Sequence, residues 1–341
     1  MNRVPLAIRK TGLVTSVGLS APASCAAMRA KITNPSETRF IDSAGEWIMA
    51  HQVALQQPWR GITKLAQMAV LAIDEALADV PGSKWHTVPL LLCVAERERP
   101  GRQAELDGEV FAKIEAELGL RFHEASAIVP HGRISVALAL NQARQLLMQP
   151  GIAQVLIVAT DSLLNWPTLS HYERCGRLLN ARNSNGFMPG EGAGALLVGL
   201  PDQRDALLVG GIGFGKEAAH IDSEEPLRAE GLSTAIKAAL ADAGVQMHDL
   251  VFRITDVSGE HYYFKEAALA LSRTLRQRKT AFDIWHPAEC TGEAGALAGA
   301  AVISVADAAC RKDYANGPAI LAHMANDSGT RAAMTLQYRS I

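Results

Sequence analysis

The side chains able to act as nucleophiles or proton carriers sit in a few places along this chain. Cys25, Cys93, Cys175, Cys290 and Cys310 are scattered, with no Cys-x-x-Cys pair. Neither a disulfide framework nor a structural zinc site is therefore expected. Cys290 precedes an Ala-rich stretch of helical spacing, residues 294–310. A helix N-terminus there would favour thiolate and offer backbone N–H groups to an oxyanion. A lone cysteine among small residues is more commonly a buried apolar group, so Cys290 is an alternative nucleophile only. His131, in His131-Gly132-Arg133, stands just ahead of a second such stretch, 135–147. An imidazole at that position can stay neutral and exchange a proton. Glu289 would complete a general acid-base pair with it if the fold brings the two together.

The run Gly190-Glu191-Gly192-Ala193-Gly194 reads as a turn whose small residues permit positive φ and close backbone packing. No Gly-Lys-Ser/Thr follows, which excludes a phosphate-binding loop.

These groups must be held by elements that the spacing makes legible. The chain has 341 residues, 48% of them apolar and only 5% aromatic, with Lys+Arg 33 against Asp+Glu 35. A net charge of -2 without a basic block argues against nucleic acid or anionic lipid as the main partner. No apolar run approaches the roughly 18 residues of a membrane helix, and the start, Met-Asn-Arg-Val-Pro, lacks a signal-peptide pattern. A cytoplasmic α/β protein is the expectation.

Apolar residues at helical spacing predict helices over 65–80, 135–147, 232–245 and 294–310. Buried-type strands are predicted at 88–94, 155–159, 250–257 and 319–323, with closing strands at 194–199 and 332–338. The strands at 155–159 and 319–323 run into Thr160-Asp161-Ser162 and Asn326-Asp327-Ser328, so the two Asp-Ser pairs fall 166 positions apart. Four matched elements in one order indicate a tandem duplication, with halves 1–203 and 204–341 forming one integrated unit. The Ala and Gly content fits helices packed closely between sheets.

Four segments carry a family resemblance. Residues 11–30 (TGLVTSVGLSAPASCAAMRA), 186–197 (GFMPGEGAGALL), 224–245 (EEPLRAEGLSTAIKAALADAGV) and 289–300 (ECTGEAGALAGA) resemble the β-ketoacyl synthases of the thiolase-like superfamily. The resemblance spans nearly the whole chain, which is shorter than typical members between Leu163 and Phe187. It implies an α/β thiolase-like fold: two duplicated βαβαβαββ halves in an α-β-α-β-α layered core. It also implies a cysteine nucleophile and two histidines. Matching Val136-Ala137-Leu138 places His131 at the cysteine position and matching Lys265-Glu266-Ala267 places Thr255 at the first histidine; the second falls at Glu289 if Gly292 and Gly295 are matched, or at Cys290 with a one-residue shift. The matched pocket would include His131, Gly132, Arg133, Phe187, Gly190, Gly192, Gly194, Asn326 and Gly329.

With all three catalytic positions changed and the glycine scaffold kept, the resemblance implies a degenerate member acting as a binding or accessory protein. Two forms of that role are a chain-length-factor-like partner and an accessory of type VI secretion working beside an effector or chaperone. The alternative is an active acyltransferase on acyl-CoA or acyl-carrier-protein thioesters with a rebuilt site. No cofactor is required, although CoA or phosphopantetheine would be the ligand of such a pocket. A homodimer, or a heterodimer with a related ketosynthase-like chain, is implied. The cluster His261-Tyr262-Tyr263-Phe264 reads as a contact surface, a pocket cover or plain packing.

Overall fold

The computed structural model describes residues 4–340. The first half contains β1 (Leu6–Val14), α1 (Ala21–Arg29), the hairpin β2 (Ser36–Ile41) and β3 (Trp47–Ala50), and α2 (Gly61–Ala76). It continues with β4 (Leu90–Cys93), α3 (Leu106–Leu118), β5 (Ala127–Val129), α4 (Ser135–Leu146), β6 (Gln154–Ser162), α5 (Trp166–Arg174) and β7 (Glu191–Gly199). The second half runs β8 (Ala206–Lys216), α6 (Glu230–Ala243), β9 (Phe252–Thr255), α7 (His261–Thr274) and β10 (Ile284–Trp285). It closes with α8 (Ala288–Thr291), α9 (Leu297–Arg311), β11 (Ala319–Ala325) and β12 (Thr330–Arg339).

Ten strands join in the order β10-β9-β11-β12-β8-β1-β7-β6-β4-β5. Read outward from the β1/β8 contact, each half repeats one sequence of strands, so β5 matches β10, β4 matches β9 and β6 matches β11. Three separate apolar cores show the layering. One holds α2 and α3 against the outer face of the first half, and another holds α6 against that of the second. The largest lies between, built from α1, α4, α9 and the inner faces of the strands. Helix α9 is buried on nearly every side, from Leu297 through Ala309, as a helix between the two halves of the sheet must be.

Small residues make this layering possible. On β8 the alternate residues Gly211, Gly213 and Gly215 face α6. A Cβ on Gly213 would meet the Ala235 carbonyl oxygen at 2.2 Å and the Ala239 nitrogen at 2.4 Å. Gly12 on β1 stands in the same relation to the Ala72 carbonyl oxygen on α2, at 2.1 Å.

The Gly-Glu-Gly-Ala-Gly run departs from its expected form. From Glu191 onward it is the strand β7, buried along its length, and none of its glycines has positive φ. Close approach is the reason for their size: added Cβ atoms would strike the Thr291 carbonyl oxygen from Gly190 and the Val14 carbonyl oxygen from Gly192. From Gly194 the obstacle would be Ala300 Cβ. The aromatic cluster is also placed differently from a contact surface. It forms the first turn of α7, where Tyr263 is buried, Tyr262 and Phe264 are half-buried, and only His261 is exposed.

Candidate functional site

The parallel pair β4–β6 of the first half and the parallel pair β9–β11 of the second bring their C-terminal ends to one region, where α/β folds place their chemistry. The turn before α4 enters this region. His131 is exposed and its backbone N–H donates to Ser135 Oγ at 3.0 Å, while Asn326 Nδ2 donates to its carbonyl at 2.8 Å. The positive φ of the turn falls on Gly132, at +56°. A Cβ there would lie 2.1 Å from Glu96 Oε2, so a carboxylate occupies the space a side chain at 132 would need.

Glu96 belongs to a buried ionic network that fills the region. Arg99 donates to Glu96 Oε2 and to Asp161 Oδ1, both at 2.7 Å. Asp161 Oδ2 in turn accepts the Ala296 backbone N–H at 2.8 Å, across the two halves. Arg133 donates to Glu293 Oε2 at 3.1 Å, to Tyr263 Oη at 2.9 Å and to Asp327. Arg177 forms a bidentate pair with Glu260, at 2.7 and 2.8 Å, and donates to Asp327 Oδ2 at 2.7 Å. Tyr172 and Tyr263 donate to the same Asp327 carboxylate, and Phe187 packs edge-on against Tyr172. The cavity left among these groups is about 10 Å³, the room of at most one water.

The electrostatics follow from the composition of the network. Three guanidinium groups, Arg99, Arg133 and Arg177, face the carboxyl groups of Glu96, Asp161, Asp256, Glu260, Glu293 and Asp327. Burial disfavours every charge here, and each acid's shift is set by the balance between burial and the guanidinium groups beside it. For Asp327 burial is outweighed by Arg133 and Arg177, which hold its carboxyl well below the usual range. For Glu293 burial wins over Arg133 and pushes the carboxyl up to about 7. Asp256 is raised in the same way, burial exceeding the pull of Arg133.

The residues at the three family positions are held apart. Thr255, buried at the end of β9, lies with Oγ1 3.2 Å from His323 Nδ1 and donates to Asp256 Oδ1 at 3.2 Å. Burial, aided by Arg253 and Arg331, pushes His323 down to about 3, which keeps it neutral. Glu289 and Cys290 face a different place, a cleft of about 400 Å³ between α1, β10 and α9. Burial, then the Glu289 charge, pushes the Cys290 thiol up to about 11, so it is a thiol at neutral pH and a poor nucleophile. Gly329, at φ +90°, shapes the turn that carries Asp327, and its backbone carbonyl accepts from the Glu217 N–H at 2.7 Å.

Sequence reasoning singled out Arg133 but missed Glu96, Arg99, Glu260 and Glu293 as its companions. The signal available was the pair of matched strand ends at Asp161 and Asp327, two carboxylates that apolar strands deliver to one buried region. No set of three or more His, Cys, Asp or Glu among the described residues is arranged to hold a metal ion. Nor, among them, is any helix long and apolar enough to cross a membrane.

No protein-family model and no curated protein sequence matches this chain. Solved structures do. The ishigamide ketosynthase/chain length factor matches with a TM-score of 0.78 at 18% identity, over 99% of this chain and 100% of that one. The ketosynthase ApeO in complex with its chain length factor ApeC, from Xenorhabdus doucetiae, gives 0.78 at 10% identity over 98% of each. A β-ketoacyl synthase from Burkholderia phymatum STM815 gives 0.76 at 14% identity over 100% of each. The chain has the thiolase-like α/β fold of these ketosynthases and chain length factors.

Proposed function

We propose that this protein keeps the ketosynthase scaffold without thioester condensation and acts by binding, its partner a related ketosynthase-like chain. The observation that carries this reading is the Arg133 network. Charged side chains bonded to one another fill the region that the turn before α4 enters. Condensation needs a nucleophile there with open space in front of it. In its place stand His131 on the surface, Gly132 against Glu96, and a cavity of about 10 Å³. A phosphopantetheine arm does not fit such a cavity, so recognition belongs to the protein surface. The alternative, an acyltransferase using Cys290, gains no support from a thiol pushed up to about 11 beside a carboxylate.

The chain-length-factor form of the role is supported by the similar solved structures that pair a ketosynthase with a chain length factor, and the sheet offers a place for such a partner. Among the described residues strand β5 ends it and pairs on one side, with β4. An unpaired edge is a template for strand addition, and the exposed His131 follows directly on β5. Affinity purification from the native host, with mass spectrometry of what is retained, tests the proposal. A ketosynthase-like chain in one-to-one proportion is the expected result. Recovery of monomer with no such chain would overturn it.

A further inference from the structure

The cleft that holds Glu289 and Cys290 plays no part in the ionic network or in the proposed assembly. Its walls are apolar: Met28 from α1, Trp285 of β10 and Pro287 after it, Val305 from α9 and Tyr314 just past that helix. Trp285 and Tyr314 stack on one another, 14° apart in plane with centroids separated by 6.4 Å, and together form one aromatic wall. The protonated Cys290 thiol adds a small apolar surface. At about 400 Å³ the space lies at the small end of ligand pockets, too small for a folded partner and suited to a short chain or a single ring.

The rim carries two cations. Arg29 and Lys31 line it together with His286 and one acid, Glu289. The Arg29 guanidinium is stacked 4.3 Å above the Tyr314 ring. Glu289 reaches both Lys31, at 3.5 Å, and His286, at 3.6 Å, and its side chain is 38% exposed. A carboxylate of the protein itself thus holds the Lys31 ammonium at the mouth of the cleft.

Lys31 is also held in an unusual conformation. It follows α1 with φ +54°, its N–H donating to the Met28 carbonyl at 3.0 Å while the Ile32 N–H donates to that of Ala27 at 2.9 Å. This is the left-handed helix stop that normally selects glycine. A lysine in a glycine position costs stability, and here its side chain points its charge at the cleft.

We propose that this cleft binds a small amphipathic anion, its apolar body against Trp285 and Tyr314 and its head displacing Glu289 from Lys31. The inference is independent of the assembly proposed above. Calorimetric titration of the full chain with decanoate and with decyl phosphate, each below its micellar range, tests it. The two ligands separate a carboxylate head from a phosphate head, and decanol supplies the same tail without charge.

At least one anion is expected to bind at one site per chain, and decanol about fivefold or more weaker. Lys31→Gly should weaken binding about fivefold while melting no lower than wild type, because glycine suits the left-handed position. Glu289→Gln should tighten binding severalfold by removing the competing carboxylate, and Trp285→Ala should abolish it. Failure of both anions to bind, equal binding of decanol, or unchanged binding by Lys31→Gly would each overturn the proposal.

Discussion

Arg133→Met is expected to lower folding stability by about 3–5 kcal/mol, the loss typical when one partner of a buried ion pair is removed. Among the described residues Arg133 is the one guanidinium bonded to Glu293, and it shares Asp327 with Arg177. Without it Asp327 keeps the Arg177 pair, but Glu293 keeps only the Gly295 N–H and the Ser258 hydroxyl. The sign of the pH dependence follows. Glu293 already holds its proton up to about 7 in the folded protein, against 4.5 unfolded. A carboxyl raised on folding loses stability as pH increases. Removal of Arg133 raises it further, so the deficit of the mutant should grow as pH rises above about 7. Denaturant midpoints of wild type and Arg133→Met at pH 6 and pH 8.5 measure both quantities. Equal midpoints would mean that Arg133 is not part of a closed network.

Gly213→Ala should cost stability at or above the upper end of the roughly 1–3 kcal/mol seen for overpacked cores. The new Cβ meets backbone atoms of α6 at 2.2 and 2.4 Å, and a helix backbone cannot rotate away as a side chain can. Relief requires lifting α6 off β8 and β12, which opens the core formed by Leu232, Ile236, Leu321 and Ala333. Gly199→Ala is the matched control. Its Cβ would be 3.4 Å from the Ala153 carbonyl oxygen, an ordinary contact, and replacing glycine reduces the entropy of the unfolded chain. That variant should be neutral or slightly stabilised. Thermal melts of the two variants decide the matter, and equal melting points would contradict the close-packed layering.

The fold was legible because its helices and strands announce themselves through burial. The helix predicted at 135–147 runs Ser135–Leu146, and the strand predicted at 319–323 extends to Ala325. Boundaries moved where backbone conformation or capping decides. The helix predicted from 294 begins at Leu297 because Gly295 takes φ +55°. The one predicted over 65–80 lies a turn earlier, Gly61–Ala76, so the Pro81-Gly82 stop falls beyond its end. The site was legible only in outline. His131, Thr255 and Glu289 marked the altered positions, but what replaces the lost chemistry is a set of pairs joining distant residues. Arg133 meets Glu293 across 160 positions and Arg177 meets Glu260 across 83. Neither partner is distinguishable by spacing from a solvated surface charge. Only the convergence of strand ends makes these charges neighbours.

The central claim is that this scaffold carries no acyl group. Intact-mass measurement after incubation with acyl-CoA and with acyl-carrier-protein thioesters tests it most directly. The structure predicts an unmodified chain, since the position before α4 has no thiol and the Cys290 thiol is pushed up to about 11. A stable acyl adduct, lost on Cys290→Ala, would contradict the claim and establish a catalyst rebuilt on the other side of the fold.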